Sequence, residues 1–347
     1  MTCSSTPLTS IADLLPDFDA DIDHAGLNEI DPDINLFSYS KSSYYNINDF
    51  NRLLIHDSIP SLSLLSHNIR GAHNNLPALL NFLTSFEHDF HFSIIALSET
   101  WFTASNCSAY DPTDYLSAHL TRTNRTHGGV SIYVHNSFTF RRRDDLTQMT
   151  DFIESLFIEI SDTHSIDHPR STIGIIYRPP NTDVDRFLDS LATITHTLAS
   201  EKSNSYILGD FNLDLLNNSH NKLQLFLDLM HSHSFIHHID LPTRITATTS
   251  TLIDNIFSNS LVGHTTAGCF YTDVSDHLPT FLLCHCTNPT QPTRYMATLR
   301  SFSDANRAAF SNALAACDWT NVLQTNDAIE GYALFSQIFQ TTYDAAF

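Results

Sequence analysis

Polar residues able to do acid–base or metal chemistry stand at the ends of short apolar runs. Asn68 follows the run Leu62–Ser66 in Ser66-His67-Asn68-Ile69-Arg70-Gly71, and Glu99 follows Ser93–Leu97 in Leu97-Ser98-Glu99-Thr100-Trp101. Tyr177 and Arg178 close another run before Pro179-Pro180, and Asp210 and Asn212 follow Tyr206–Leu208 in Leu208-Gly209-Asp210-Phe211-Asn212. Asp254 lies in Thr251-Leu252-Ile253-Asp254-Asn255, while Asp276 and His277 precede a last run, Thr280–Cys284. Each has a plain reading when taken singly: Gly-Asp-x-Asn is an Asx turn, Glu99 a solvated loop carboxylate, Tyr-Arg-Pro-Pro a strand stopped by prolines. Asp276-His277 reads evenly as a turn or as an orienting pair. As a set at strand termini, carboxylates, asparagines and one imidazole suit phosphoryl chemistry at Mg²⁺, a hard cation bound through oxygen by one or two carboxylates.

Positioning such a set requires rigid elements. The apolar runs, together with Val130–His135, Phe152–Ile160, Thr172–Tyr177 and Leu252–Phe257, are short, rich in β-branched and aromatic residues, and bounded by turn residues, which predicts strands. Helical periodicity appears between them. Val184, Phe187, Leu188, Leu191, Ile194 and Leu198 recur at three- and four-residue steps, with Asp183 as the predicted N-cap. Leu76, Leu79, Leu80 and Leu83 repeat the pattern, as do Leu223, Phe226, Leu227 and Met230. Strands outnumber helices, so two stacked sheets flanked by helices fit better than one parallel sheet.

The chain has 347 residues, 42% of them hydrophobic, enough to fill the core of one large α/β domain or two ordinary ones. No apolar run approaches the roughly 20 residues of a membrane span, and no secretory leader is evident. Six scattered cysteines suit a reducing compartment, so an intracellular, non-secreted protein is expected. The net charge of −21 argues at first sight against a nucleic-acid partner. It is unevenly spread: −8 falls in residues 1–60, −11 in 61–286 and −2 in 287–347. Residues 1–60, with the series Asp17, Asp19, Asp21, Asp23, read as a mostly flexible acidic leader; 61–286 as the structured domain; 287–347 as a linker followed by two amphipathic helices around Phe310 and around Tyr332, Phe335 and Phe339. Arg141-Arg142-Arg143 could grip a phosphate backbone or form a solvated loop with Asp144 and Asp145. Cys284 and Cys286 lack a second ligand pair for zinc, and His237-His238 is expected at the surface.

The order of the blocks Ser98-Glu99-Thr100-Trp101, Gly128-Gly129-Val130, Tyr177-Arg178-Pro179-Pro180, Gly209-Asp210-Phe211-Asn212, Thr251-Leu252-Ile253-Asp254 and Ser275-Asp276-His277 resembles the endonuclease/exonuclease/phosphatase family, the fold of deoxyribonuclease I and the apurinic endonucleases. Its nearest likeness within that family is the endonuclease domain of non-LTR (LINE-type) retrotransposon proteins. The resemblance covers roughly residues 61–286 and implies a four-layer α/β sandwich of two packed mixed sheets flanked by helices, here with a short helical C-terminal extension. It implies a metal-dependent endonuclease that nicks DNA and leaves a 3′-hydroxyl, with Mg²⁺ as cofactor and Mn²⁺ as a substitute. Another phosphoesterase of the same fold, acting on RNA, inositol phosphates or sphingomyelin, and a non-catalytic binding remnant are the competing expectations.

The resemblance also assigns roles. Glu99 is the principal metal ligand, with Asn68 beside it and Asp276 contributing. Asp210 orients or deprotonates the attacking water, and Asn212 donates to the scissile phosphate. His277 stabilises the transition state, with Asp254 fixing its tautomer. Tyr177 and Arg178 contact the phosphate or the leaving side. Arg70, Arg122 and Arg125 are expected to line a basic rim for substrate, which would reconcile an acidic chain with DNA. Residues 287–347 resemble the connector that precedes a reverse transcriptase, yet the chain has no Tyr/Phe-x-Asp-Asp polymerase motif, so a truncated or domesticated element is expected, acting on DNA in the nucleus and away from membranes.

Overall fold

The structure, a computed structural model, describes residues 42–56, 60–87, 90–123, 127–162, 170–201, 203–217, 221–260, 264–285 and 302–347. Among these residues two seven-stranded mixed sheets form the centre. In the first, the order is β1 (Ser43–Tyr45), β15 (His264–Phe270), β16 (Thr280–His285), β2 (Leu62–Asn68), β3 (Ile94–Ser98), β5 (Val130–His135) and β4 (Tyr115–Leu120). In the second, β11 (Ile236–His237), β14 (Asp254–Ser258), β10 (Asn204–Asp210), β9 (Ser171–Tyr177), β8 (Glu154–Asp162) and β6 (Phe138–Arg142) lie side by side, and β7 (Gln148–Met149) pairs with β8. A short ribbon, β12 (Arg244–Ile245) with β13 (Ser250–Thr251), stands apart from both.

The side-chain period of two sorts each strand between two cores. Leu64 on β2, Ile94 and Ala96 on β3, Leu156 and Ile158 on β8, Ile173 and Ile175 on β9, and Leu208 on β10 fill the seam between the sheets. Their neighbours of opposite parity face outward. Phe157, Ile176, Ile207 and Phe257 meet Phe187, Leu191 and Ile194 of α3 (Val184–Ser200) and Leu223 and Phe226 of α4 (Asn221–Ser232). Leu65, Ile95, Leu97 and Phe281 meet Phe50 of α1 (Ile47–His56) and Leu76 and Leu79 of α2 (Ala72–Leu83). The result is helix, sheet, sheet, helix: the four-layer sandwich. Asp183 caps α3 as expected, its carboxylate accepting from the amides of Asp185 and Arg186 at 3.0 and 3.3 Å.

The expected flexible leader overlaps this core. β1 pairs in parallel with β15, and Phe50 on α1 is fully buried against the rings of Phe86, Phe92, Phe270 and Phe281, so residues 43–56 belong to the sandwich. Polar residues at Ser42, Ser43, Asn46, Asn48 and Asp49 masked this apolar face in the sequence. Strands β4 and β6 also escaped the sequence reading because their burial is partial, and β15 because its composition, His-Thr-Thr-Ala-Gly-Cys-Phe, is mixed. His237 and His238 are half-buried rather than superficial. At the C-terminal end, α5 (Asp304–Ala316), α6 (Thr320–Gln324) and α7 (Ala328–Ala346) pack on one another through Phe310, Phe339 and Tyr343 and through Trp319 on Phe335. No helix of the described residues is long and apolar enough to cross a membrane.

Candidate active site

Parity and register build the site. Asn68 shares the inward parity of Leu64, Tyr177 that of Ile175, Asp210 that of Leu208 and Asp254 that of Ile256, so all four point into the seam at one end of the sandwich. In the second sheet Tyr177 pairs with Asp210 and Asp210 with Asp254, a single row across β9, β10 and β14. The row continues to β8, where Glu154 pairs with Tyr177. Asn68 and Glu99 face it from the first sheet. The Asn68 side-chain amide donates to Glu99 Oε1 at 3.0 Å and to Asp210 Oδ2 at 2.8 Å, stitching the two sheets at the site.

Asp254 Oδ2 holds His277 Nδ1 at 2.8 Å with both side chains 4% exposed. Burial alone would lower the imidazole pKa, but the Asp254 charge and hydrogen bond, with Asp210 and Asp276 adding to them, raise it to about 9. Asp254 is itself fixed by Thr243, whose hydroxyl donates to Oδ2 at 2.7 Å. Asp210 is raised as well, here towards its neutral form: burial and the Asp254 charge push its carboxyl up to about 7, against the opposing pull of His277, Asn68 and the Asn212 amide. The Tyr177 phenol is pushed well up by burial and by the charges of Glu99 and Asp210, and it hydrogen-bonds Glu99. It therefore stays protonated.

Loop conformation is equally specific. Arg70, Glu99, Trp101 and Asn212 all adopt left-handed backbone, φ 44°, 50°, 57° and 47°, a concentration of strain of the kind found where structure serves a site. Trp101 Nε1 donates to Glu99 Oε2 at 3.2 Å and so braces that carboxylate. His67 donates through Nε2 to the His277 carbonyl at 3.0 Å, while Ser275 Oγ donates to the Asn68 carbonyl at 2.8 Å; burial holds the His67 pKa at about 4, so it stays neutral.

The arginines divide differently from expectation. Arg178 is buried, its guanidinium donating to the carbonyls of Phe211 and Asn212 at 2.7 Å each and to Thr182, so it laces two loops together instead of facing substrate. Asn212 returns the contact, spending one N–H on the Arg178 carbonyl at 2.8 Å and keeping the other. Arg122 is paired with fully buried Glu154 and is likewise internal. Arg125 lies outside the described residues. Arg70 is exposed and shares Asp276 Oδ2, at 2.6 Å, with Arg244 at 2.9 Å. Burial raises the Asp276 carboxyl, but these two guanidiniums and His277 carry it down to about 2. Asp276 thus serves the arginines, and the metal role expected of it finds no support. Arg141, Arg142 and Arg143 each pair with acids, Arg143 being buried between Asp145 and Glu201. Sequence reading missed Thr243, Arg244 and Glu154; Pro242-Thr243-Arg244 and the isolated acid that opens β8 were the available signals.

Donor chemistry is compatible with a hard divalent cation. Asp210, Asp254 and His277 bring ligand atoms within 4.8 Å of one another. An imidazolium tied to Asp254 cannot ligate, however, which leaves acid–base work to that pair. Glu99 and Asp210 instead converge on the Asn68 amide. The two carboxylates offer oxygen donors of the kind a hard cation takes, and the Asn68 oxygen, which here accepts the Arg70 amide at 3.2 Å, would join them only if the side chain turned over.

Residues 65–277, more than half of the chain, match the model of the Endonuclease/Exonuclease/phosphatase family. Among solved structures, the AP endonuclease LMAP from Leishmania major aligns at 12% identity over 65% of this chain and 88% of its own, with a TM-score of 0.50. At that identity the likeness is one of fold. The Xenopus laevis APE2 catalytic domain aligns at 17% identity over 65% of this chain and 94% of that one, TM-score 0.49. The endonuclease domain of TRAS1, a telomere-specific non-LTR retrotransposon, aligns at 13% over 65% and 98%, TM-score 0.49. No curated protein matches the chain.

Proposed function

The chain belongs to the endonuclease/exonuclease/phosphatase family, and on that premise we propose that it is a Mg²⁺-dependent DNA endonuclease of retrotransposon origin, cutting one strand to leave a 3′-hydroxyl. The observation that carries the hydrolytic reading is the buried Asp254–His277 pair at 2.8 Å beside Asp210. Together they supply a fixed positive charge and a carboxylate of raised pKa in one buried cluster. The ordered sequence blocks favour the retrotransposon branch, and a nuclear site of action follows from the substrate.

In this reading Asp210, near neutral pKa, accepts the proton of the attacking water. His277, held protonated by Asp254, faces the negative charge that develops on the phosphoryl oxygens. The free N–H of Asn212 is a donor for the same oxygens; the Tyr177 hydroxyl, which donates to Glu99, joins it only by turning from that carboxylate. Glu99 with Asn68 would hold Mg²⁺, which supplies further charge stabilisation when bound. Arg70 and Arg244, exposed beside His277, attract the flanking phosphates.

Supercoiled plasmid tests the proposal. Nicking is expected with Mg²⁺, none with EDTA, and a loss of at least roughly 10²-fold in Glu99→Ala. Hydrolysis of phosphoinositides without plasmid nicking would instead make the protein a lipid phosphoesterase. Equal nicking by wild-type and Asp210→Ala preparations would expose a contaminant and an inert protein.

A further inference from the structure

Glu154 and Arg122 form a charged pair that the chemistry above does not use. Glu154 is fully buried and the Arg122 side chain is 12% exposed, so both have been taken out of water, an expensive arrangement unless the geometry needs it. Both carboxylate oxygens are spent. Oε1 receives the Arg122 guanidinium, and Oε2 accepts the Gly129 amide at 2.6 Å. The Gly128-Gly129 backbone runs directly over this pair, with φ of 92° and 85°. A Cβ on Gly128 would sit 2.5 Å from Arg122 Nε and 2.6 Å from Glu154 Oε1. The carbonyls on the far side of the two glycines then accept from the Glu99 loop: Gly129 from the Thr100 amide at 3.1 Å and Gly128 from the Trp101 amide at 2.8 Å. Glu99, in left-handed backbone, is the residue before Thr100. A continuous set of contacts therefore runs from the buried ion pair through two glycines to the loop that carries the Glu99 carboxylate, on which the metal reading depends.

We propose that the buried Arg122–Glu154 pair is a positioning device for Glu99, fixing the Gly128-Gly129 backbone so that the Glu99 carboxylate is presented to a divalent cation. This rests on the functional reading above and adds two positioning residues to it. Arg122 is thereby assigned to the interior of the site instead of to the substrate. It also gives the Gly128-Gly129 block a reason: only residues without side chains can pass between the ion pair and the Glu99 loop.

The test is Mn²⁺ binding to the DNA-free protein, followed by calorimetry, beside the Mg²⁺ dependence of plasmid nicking. Glu154→Gln keeps an acceptor for Gly129 but removes the charge. It is expected to weaken Mn²⁺ binding about 10- to 100-fold, the usual cost of disturbing a partner that orients a ligand. The Mg²⁺ needed for half-maximal nicking should rise in parallel, with a smaller change in the rate at saturating Mg²⁺. In a Glu99→Ala background the same substitution should cost nothing further. A cooperatively folded Glu154→Gln protein with wild-type Mn²⁺ affinity would overturn the proposal, and so would a full additional loss in the Glu99→Ala background. If Glu154→Gln does not fold, Arg122→Lys decides: weakened binding supports the device and unchanged binding refutes it. Wild-type Mn²⁺ binding that is indifferent to Glu99→Ala would defeat the metal reading itself, a result separable from failure of the positioning role alone.

Discussion

His277 and Asp254 are oriented by contacts that leave little freedom, and their titration gives the sharpest tests at the residue scale. With Asp210 at about 7 and His277 at about 9, nicking should rise as Asp210 ionises and fall as His277 loses its proton. A bound divalent cation favours the carboxylate, so raising Mg²⁺ should move the acidic limb below pH 7 while the alkaline limb stays in place. The same pair affects stability. His277 has its pKa raised from 6.5, so its contribution is complete below pH 6.5 and is lost as pH rises through about 9. Melting temperature should therefore fall across that window, and Asp254→Asn should flatten the fall. A melting profile of equal slope in wild type and Asp254→Asn would mean that the pair is not charged in the folded protein. His277→Ala is expected to lower nicking by roughly 10²-fold or more under conditions where the protein remains folded.

At the scale of elements, two predictions separate support from chemistry. Arg178→Met removes a buried guanidinium that satisfies the carbonyls of Phe211 and Asn212, and each buried group left unpaired costs roughly 1–3 kcal/mol. Thermal unfolding should register that loss. A substrate contact would instead weaken DNA binding with the melting temperature unchanged. Phe50 on α1 is enclosed by aromatic rings of the first sheet and its covering loop, so Phe50→Ala should cost about 3–5 kcal/mol in a denaturant titration. A neutral result would mean that β1 and α1 are dispensable to the sandwich.

For the molecule as a whole, charge is the governing quantity. At −21 it repels DNA at long range, and an exposed pair of guanidiniums at Arg70 and Arg244 works against that background. Binding should be weak and steeply salt-dependent, falling sharply between roughly 50 and 200 mM salt. Arg70→Ala or Arg244→Ala should each reduce the slope of log affinity against log salt by about 1, as expected for a lost phosphate contact. Asp276→Asn should strengthen DNA binding by freeing both arginines, and an unchanged slope in all three variants would place the DNA elsewhere on the surface.

Much of the protein is legible in its sequence. Short β-branched runs, the period of α3 and its Asp183 cap, and the motif residues at strand ends are local properties, set by side-chain period, capping and turn chemistry acting over a few residues. Glu99, Asp210, Asp254 and His277 pointed to phosphoryl chemistry only as an ordered set, through the family resemblance, since each taken singly reads as an ordinary turn or loop residue. Pairing was not legible. That Glu154, Tyr177, Asp210 and Asp254 form one row, that Asn68 bridges to Asp210 from the other sheet, and that Arg178 and Arg122 point inward depend on strand register and sheet packing, which join residues far apart in the chain. An arginine has the same composition whether it meets a phosphate or a carbonyl. Only the tertiary structure decides which partner lies within reach, because burial and register, not residue type, determine what replaces the water that the charge gives up.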